Sequence, residues 1–350
     1  MKSLNARQQK IQEYFIEHKT AKVRDILSLF PHDVAVERRT VIRDLEKLCS
    51  IGFIERHGKG RGVYYKISDS HILFKNIDIK KYFAQPFDER EIKQGFNFKI
   101  FEIIEQPLFL KEEEDELNKL HETFQKNFSR YDSQTIVNKE FERILIEFSW
   151  KSSQIEGNTY SLLSTELLIK ENQPDETKTE KETQMILNHK DAFNETLQNK
   201  ERFLNLSSRD IEYIHSLLTK KLGVVRNFRS LPVGITGTKY QPLDNLHQVT
   251  EAVGKMVDTI NRKNNFFEKS FLALVLLSYI QAFEDGNKRT ARMISNAILL
   301  AHNSIPMSYR AVNEVEYKKA AILFYEQNNL SYFKEIFMTQ FAFAVKNYFR

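Results

Sequence analysis

A short stretch between residues 281 and 292 contains the residue types that hold a metal-bound polyphosphate. It reads Gln-Ala-Phe-Glu-Asp-Gly-Asn-Lys-Arg-Thr-Ala-Arg. Gly286 lets the backbone approach an anion closely, and Asp285 supplies the hard carboxylate oxygen that Mg²⁺ prefers. Arg289 and Arg292 fall on one helical face, one turn apart, so their guanidinium groups can hold successive phosphates. The stretch therefore predicts a polyphosphate site.

We expect a buried helix, a turn and a second helix around this stretch. Residues 271–280 are apolar nearly all round, which is typical of a central buried helix. The chain then breaks and restarts as a helix around Asn287, whose side chain can cap the new helix or donate to a phosphate. A helix start presents free backbone amides, which stabilise an anion. The predicted turn as a whole therefore indicates a polyphosphate site more strongly than any single residue in it.

A second segment of interest is the end of a long amphipathic helix predicted over residues 135–157. The buried face of this helix consists of Val137, Phe141, Ile144, Leu145 and Phe148. Gly157 and Asn158 supply a helix stop. Glu156 lies in the last turn, where the helix dipole disfavours a carboxylate. We therefore expect a cation elsewhere in the fold to compensate Glu156.

Together the two segments resemble motifs of the Fic family. That family carries His-x-Phe-x-Asp-Gly-Asn-(Gly or Lys)-Arg-x-x-Arg, and the matching residues here are Phe283, Asp285, Gly286, Asn287, Lys288, Arg289 and Arg292. The family's inhibitory motif, Ser/Thr-x-x-x-Glu-Gly/Asn, is matched by Ser152, Glu156, Gly157 and Asn158. Residues 233–240 resemble its β-hairpin flap, which aligns an incoming target segment; the flap residues are Val233, Gly234, Ile235, Gly237 and Tyr240. The resemblance covers roughly residues 75–340.

The resemblance implies a helical domain that transfers AMP from ATP to a Ser, Thr or Tyr hydroxyl of a target protein. In that scheme Asp285 holds Mg²⁺, and the other matching residues of the loop bind the nucleotide. Arg292 binds the γ-phosphate unless Glu156 pairs with it first, in which case the enzyme inhibits itself. A homodimer is a further expectation of the resemblance, although no residue pattern indicates one.

Gln281 occupies the position where the Fic family has its catalytic histidine. A carboxamide cannot take a proton from a hydroxyl near neutral pH, and losing a general base slows a reaction about 10²–10⁴-fold. Three interpretations follow: a naturally degenerate site, an engineered inactive form of an active enzyme, or an active enzyme whose base comes from elsewhere. In each of them nucleotide binding is expected to persist.

Two functions from different classes therefore remain open. The first is a self-inhibited AMP transferase whose N-terminal module guides it to a target. The second is a DNA-binding regulator that senses ATP through a Fic domain without catalysis.

Residues 1–70 predict a winged helix-turn-helix domain. Asn5 and Gln8 form a capping box before a first helix, and a second amphipathic helix follows it. The inward residues of a third helix are Val41, Leu45 and Leu48. Residues 53–56 and 63–67 are then predicted to form two strands around a glycine-rich tip, as in a DNA-contacting wing.

The third helix and the tip between the strands supply cations that can contact DNA phosphates. They are Arg38, Arg39, Arg43 and Lys47 on the helix and Lys59 and Arg61 at the tip. Residues 39–45 and 52–54 also resemble winged-helix repressors.

Charge supports DNA binding only in part. Residues 1–70 hold seven Lys and seven Arg against four Asp and five Glu, a net charge of +5, which equals the charge of the whole chain. Glu37, Asp44 and Glu46 dilute the basic face, so a protein-binding module that has lost DNA contact remains an alternative.

Length and composition set the wider limits. With 350 residues, two or three folding units are expected. Cys49 is the single cysteine, which excludes an internal disulfide. The start lacks the apolar core of a signal peptide and no apolar run is long enough for a bilayer, so we expect a cytoplasmic protein without a membrane partner.

The predicted fold class is mainly α, with three regions. Residues 1–70 form the winged-helix (α+β) domain and residues 71–130 a helical connector. Residues 131–350 form a Fic-type helical bundle with a small β-hairpin flap.

Overall fold

The computed structural model describes residues 4–30, 36–68 and 71–350. The chain divides into two compact units, Met1–Asn76 and Ile77–Arg350. The domain end predicted at residue 70 lies outside the described residues. Each unit is described below by itself.

The first unit combines short helices with a small sheet. Its elements are α1 (Ala6–His18), β1 (Thr20–Ala21), α2 (Val23–Leu27), α3 (Arg38–Ser50), β2 (Ile54–His57), β3 (Tyr64–Ile67) and α4 (His71–Phe74). The strands are antiparallel in the order β1-β3-β2, and a 3₁₀ turn, Gly60–Gly62, lies between β2 and β3. The two strands predicted from the sequence are present, whereas β1 was not predicted.

Local signals in the sequence set the ends of these helices. Asn5 Oδ1 accepts from the amide of Gln8 at 2.9 Å, and the Gln8 side chain accepts from the Asn5 amide at 3.2 Å, so the predicted capping box is present. Val41, Leu45 and Leu48 of α3 are fully buried, as their spacing predicted. Burying each of these side chains contributes about 1.5–3 kcal/mol.

Asp44 on α3 faces inward. It is 3% exposed, forms a salt bridge with Arg7, and accepts from Gln8 Nε2 at 2.9 Å. The expectation that Asp44 dilutes an exposed basic face was therefore wrong, because its charge is used to join α1 to α3.

The second unit is helical. Its helices are α5 (Ile79–Ala84), α6 (Ile100–Ile103), α7 (Lys111–Phe128), α8 (Gln134–Ile155), α9 (Leu162–Glu171), α10 (Glu180–Gln198), α11 (Ser208–Leu218), α12 (Leu246–Arg262), α13 (Phe266–Ile280), α14 (Asn287–Ala301), α15 (Glu314–Gln327) and α16 (Ser331–Asn347), with a 3₁₀ helix at Lys200–Leu204. Within the described part of the chain, none of the helices has the length and apolar character needed to cross a membrane.

Helix α13 is the centre of this unit, as predicted. Residues 270–280 are all buried, and the helix packs against α12, α14, α15 and α16. Its few polar groups are paired inside the core; Ser270 Oγ, for example, lies 2.8 Å from Ser295 Oγ on α14. Because α13 is enclosed on every side, its C-terminal end is held in a fixed position.

Residues 77–130, predicted as a connector, belong to the body of the second unit. Tyr82 donates to the buried carboxylate of Glu326 at 2.6 Å, and Arg90 lies 3.4 Å from the same residue. Phe96 stacks on Tyr279 of α13 at a centroid distance of 4.6 Å. These contacts fix the region against the central helix.

The flap predicted as a β-hairpin over residues 233–240 does not form a strand pair. It is an irregular segment that turns at Gly237. Its distal end is bonded to residues 88–95 instead: Arg90 donates to the Gly237 carbonyl at 2.6 Å, and the amide of Gln241 donates to the carbonyl of Gln94 at 2.6 Å. The distal arm therefore bonds to residues 88–95 rather than to the proximal arm.

Candidate functional site

The turn between α13 and α14 is built on two left-handed residues. Gln281 ends α13 with φ 51°, and Gly286 precedes α14 with φ 85°. A Cβ on Gly286 would lie 3.0 Å from Thr219 Cγ2 and 3.3 Å from the ring of His215. Glycine is therefore required at position 286 for both backbone conformation and space.

Asn287 closes this turn from inside. Its Oδ1 accepts from the Phe283 amide at 2.8 Å, and its Nδ2 donates to the Phe283 carbonyl at 2.8 Å. The side chain is buried and does not cap α14. The predicted side-chain cap of α14 was therefore wrong, because both polar atoms of Asn287 shape the turn; its role in nucleotide binding stays a prediction.

Phe283 was predicted to bind the nucleotide, but the structure places it in the core. Its side chain is fully buried and stacks on His215 with a centroid distance of 3.6 Å and an interplanar angle of 4°. His215 Nε2 donates to the carbonyl of Asp285 at 2.9 Å, and burial lowers the pKa of His215 to about 4. Phe283 and His215 therefore fix the turn to the core of the second unit.

Gln281 is held by its neighbours. Its Nε2 donates to the carbonyl of Ser278 at 2.6 Å, and its Oε1 accepts from Asn287 Nδ2 at 3.2 Å. The residue is 8% exposed. The carboxamide therefore caps the end of α13. Its side chain can reach the Ser278 carbonyl because the left-handed backbone at residue 281 turns the side chain back over the helix.

Arg292 on α14 is fully buried and bonded to the end of α8. Its Nη2 donates to Glu156 Oε1 and to the carbonyl of Ser152, both at 2.9 Å, and its Nε donates to Ser152 Oγ at 2.9 Å. The cation expected to compensate Glu156 is thus Arg292. These three bonds join the two motifs that the sequence matched separately.

Glu156 has a second cationic neighbour. Lys288 Nζ lies 3.6 Å from Glu156 Oε2. Burial acts to raise the pKa of Glu156, but the positive charges of Arg292 and Lys288 outweigh it, and the pKa lies below its usual value. Glu156 is therefore ionised at neutral pH.

Sequence reasoning did not find His189, which contacts Ser152, one of the partners of Arg292. It is fully buried, its Nδ1 donates to the Met185 carbonyl at 2.9 Å, and burial lowers its pKa to about 3. The neutral ring therefore leaves Nε2 as an acceptor for the Ser152 hydroxyl, 3.0 Å away. Nothing in the sequence separates His189 from other helical histidines, because its partner lies on another helix.

The rest of the inhibitory motif terminates α8. Gly157 adopts φ 98°, and Asn158 Nδ2 donates to the carbonyl of Glu182 at 2.9 Å. These two residues therefore end the helix and so fix the position of Glu156.

Asp285 and Arg289 provide the features that suit a magnesium polyphosphate. The Asp285 side chain is 60% exposed and lies 3.1 Å from Arg289 Nη2, so a hard carboxylate oxygen is accessible at the turn. Within the part of the chain that the structure describes, the buried Nη1 atoms of Arg289 and Arg292 have no hydrogen-bond partner. Buried donors of this kind are normally satisfied, and a phosphate oxygen is a suitable acceptor. The residues present therefore fit a magnesium-bound polyphosphate.

The residues of the predicted flap differ in solvent exposure. Gly234 is exposed, whereas Val233, Ile235 and Gly237 are half-buried. Tyr240 is 2% exposed and donates to the carbonyl of Tyr279 at 2.9 Å. Its ring is therefore part of the core, and the role predicted for it in aligning a target segment stays a prediction.

Comparison with known proteins identifies the class of this fold. The crystal structure of a Fic domain-containing signaling protein from Bacteroides thetaiotaomicron matches with a TM-score of 0.54 and 15% identity, covering 66% of this chain and 94% of that one. A solved fragment of Fic-1 from C. elegans matches at 0.53 and 19%, covering 66% and 69%. A Fic family protein from Desulfovibrio desulfuricans matches at 0.53 and 20%, covering 66% and 73%. The second unit therefore has the Fic fold.

The sequence comparison agrees with this likeness of fold. The model of the Fic/DOC family matches residues 205–299, which include α13, the turn and most of α14. No curated protein sequence matches the chain. Residues 205–299 thus match the Fic/DOC family model, and the turn at residues 281–286 lies inside the matched region.

Proposed function

We propose that the second unit is a self-inhibited, Fic-type nucleotide-binding domain that takes ATP and Mg²⁺. Its activity would be AMP transfer to a Ser, Thr or Tyr hydroxyl of a target protein, impaired by Gln281. The observation that carries the proposal is the Glu156 carboxylate bonded to Arg292. It occupies the guanidinium that would otherwise bind the terminal phosphate.

Charge explains how the contact between Glu156 and Arg292 would inhibit ATP binding. Arg292 is bonded to α8 through both its Nε and Nη2 atoms and is fully buried, so its guanidinium is closed to a ligand while Glu156 is in place. An incoming phosphate would also meet the ionised Glu156 at close range, and like charges repel strongly away from water. The triphosphate would therefore bind weakly or with its tail displaced.

The chain's own residues can perform most of the transfer. Mg²⁺, which Asp285 would hold, neutralises phosphate charge when bound. The first turn of α14 has no side-chain cap, so its amides remain available to stabilise charge on the α-phosphate. In the reaction, a bond forms between the target hydroxyl oxygen and the α-phosphorus, pyrophosphate leaves, and the hydroxyl proton passes to a base or to water.

The structure does not favour a replacement base at His215. That histidine contacts the turn, but its Nε2 is bonded to Asp285 and its pKa is about 4. Such an imidazole accepts a proton poorly at neutral pH. His215 is therefore not the replacement base. The degenerate and the engineered site both predict ATP binding with slow transfer, and a base from another residue or from the target stays the third interpretation.

Replacing Glu156 with Gly is the direct test of self-inhibition. A charge-assisted hydrogen bond is worth about 1.5–3 kcal/mol, so releasing Arg292 is expected to raise ATP affinity about 10- to 100-fold. Isothermal titration calorimetry with ATP and Mg²⁺ on the full chain measures this directly. Glu171→Gly is the matched control, because Glu171, like Glu156, lies at the C-terminal end of a helix but is exposed. Equal affinities in both variants, or no ATP binding at all, would contradict the proposal.

A second candidate function, DNA binding by the first unit, is favoured by one observation. Arg38, Arg39 and Arg43 of α3 are exposed, while Asp44 is turned away from them. At the tip between β2 and β3, Lys59 and Arg61 are also exposed, whereas Lys47 is half-buried. We propose that this surface contacts DNA phosphates and that the nucleotide-binding unit regulates it.

Arg39→Ala should weaken binding of the full chain to duplex DNA. If Arg39 contacts one phosphate, the slope of log affinity against log salt concentration should fall by about 0.9. Fluorescence anisotropy across a salt series measures that slope, with Lys10→Ala on α1 as the control of equal charge. Affinity that ignores salt, or equal effects of both variants, would support the protein-binding alternative.

A further inference from the structure

Arg229 joins two functional segments through one buried guanidinium. Its Nε donates to the carbonyl of Gln281 at 2.6 Å, and its Nη1 donates to the carbonyl of Leu231 at 2.7 Å. Its backbone amide donates to the carbonyl of Ala282 at 3.0 Å. The residue is 2% exposed. Arg229 thus bonds the first two residues of the loop and the segment that leads into the flap.

The partners of this side chain are unusual for a buried cation. Both are backbone carbonyls rather than carboxylates, and burial lowers the pKa of Arg229. Within the described residues its Nη2 has no hydrogen-bond partner. Burying a charge without a directly bonded carboxylate is unfavourable, and the charge of Asp244 offsets the effect of burial on the pKa only in part, so the arginine is a poor choice for stability alone. A planar guanidinium fixes the relative positions of its acceptors, which a flexible ammonium does not.

The two segments that it joins differ in exposure. Gln281 lies at the enclosed end of α13. On the other side, Leu231 is 68% exposed and Gly234 is exposed, which leaves residues 230–236 accessible to a second protein. One end of the guanidinium therefore contacts a rigid loop, and the other end contacts an accessible surface.

We infer that Arg229 is a positioning residue that sets the distance between the docked target segment and the phosphate loop. This inference rests on the proposed function, in which residues 230–236 receive the target. A hydroxyl must lie about 3–3.5 Å from the phosphorus that it attacks, and misplacement by about 1 Å can cost on the order of 10²-fold in rate. Arg229 meets this requirement by holding both segments with one rigid group.

Hydrogen–deuterium exchange on the full chain tests the coupling without requiring activity. Arg229→Met should speed amide exchange both in residues 230–236 and in residues 281–286. Arg229→Lys, which can serve one carbonyl at a time, should give a smaller increase in both segments. Arg226→Met is the control, because Arg226 is an exposed arginine in the same segment, and it should leave residues 281–286 unchanged. Faster exchange in only one segment, in neither, or throughout the second unit in both variants would overturn the inference.

A second arm uses the chain that carries Glu156→Gly and Gln281→His. Adding Arg229→Lys should leave ATP affinity within about threefold, while AMP incorporation into protein should fall about 10- to 100-fold. Equal losses of binding and transfer would show that Arg229 is merely structural and would overturn the inference. If the background chain transfers no AMP, the proposed function fails instead, and the exchange experiment still decides the coupling.

Discussion

Combining Gln281→His with Glu156→Gly is expected to raise AMP incorporation into protein about 10²–10⁴-fold over Glu156→Gly alone, because a general base contributes a factor of this size. The turn is already shaped for the substitution, since residue 281 is left-handed and His is among the residues that tolerate this conformation. Incorporation of labelled AMP is the measurement, and self-modification should be examined first because the target is unknown.

Gln281→Asn in the same Glu156→Gly background is the control. Asparagine supplies no general base and tolerates the same left-handed backbone. AMP transfer should therefore stay low while ATP affinity is unchanged. Tight ATP binding with no transfer in the histidine variant would rule out the enzyme hypothesis and favour the ATP-sensing regulator.

Phe283→Ala is expected to destabilise the second unit by about 3–5 kcal/mol, because a large aromatic side chain leaves a cavity when it is removed from a core. Phe283 is fully buried against His215 and Phe228. Trp150 is the only tryptophan in the chain and lies on α8, so its fluorescence during urea denaturation reports this unit.

Glu284→Ala provides the comparison for that experiment, because Glu284 is the exposed neighbour of Phe283. It should change the free energy of unfolding by less than about 0.5 kcal/mol. If Phe283→Ala instead left stability intact and abolished ATP binding, Phe283 would be a nucleotide contact after all.

The parts of the fold that local signals determine could be predicted. The helix end at residue 280 and the restart at Asn287 follow from an apolar run, a turn and a glycine that no other residue can replace. The compensation of Glu156 was also foreseeable, because a carboxylate at a helix C-terminus is unfavourable without a cation. The identity of that cation came only from the resemblance to the Fic family.

Residues whose roles depend on distant partners could not be predicted. Phe283 and Asn287 match the motif as well as Arg292 does, yet their side chains bond or stack within the turn and its core, whereas Arg292 reaches α8; the spacing along one loop does not reveal this difference. Tyr240 is drawn into the core by Tyr279, which is 39 positions away. The distal arm of the predicted flap bonds to residues 88–95 rather than to the proximal arm, and no pattern within residues 233–240 indicates that partner.

The left-handed backbone at Gln281 has a consequence for the history of the site. Glutamine and histidine codons differ by one nucleotide, and both side chains suit this backbone position, so gaining the imidazole requires a single mutation and no rebuilding of the turn. Selection that keeps the buried arginines and the glycine, whether for nucleotide sensing or for packing, would also preserve the capacity to regain chemistry. On the interpretation of a naturally degenerate site, the proposed catalytic function would therefore be dormant rather than lost.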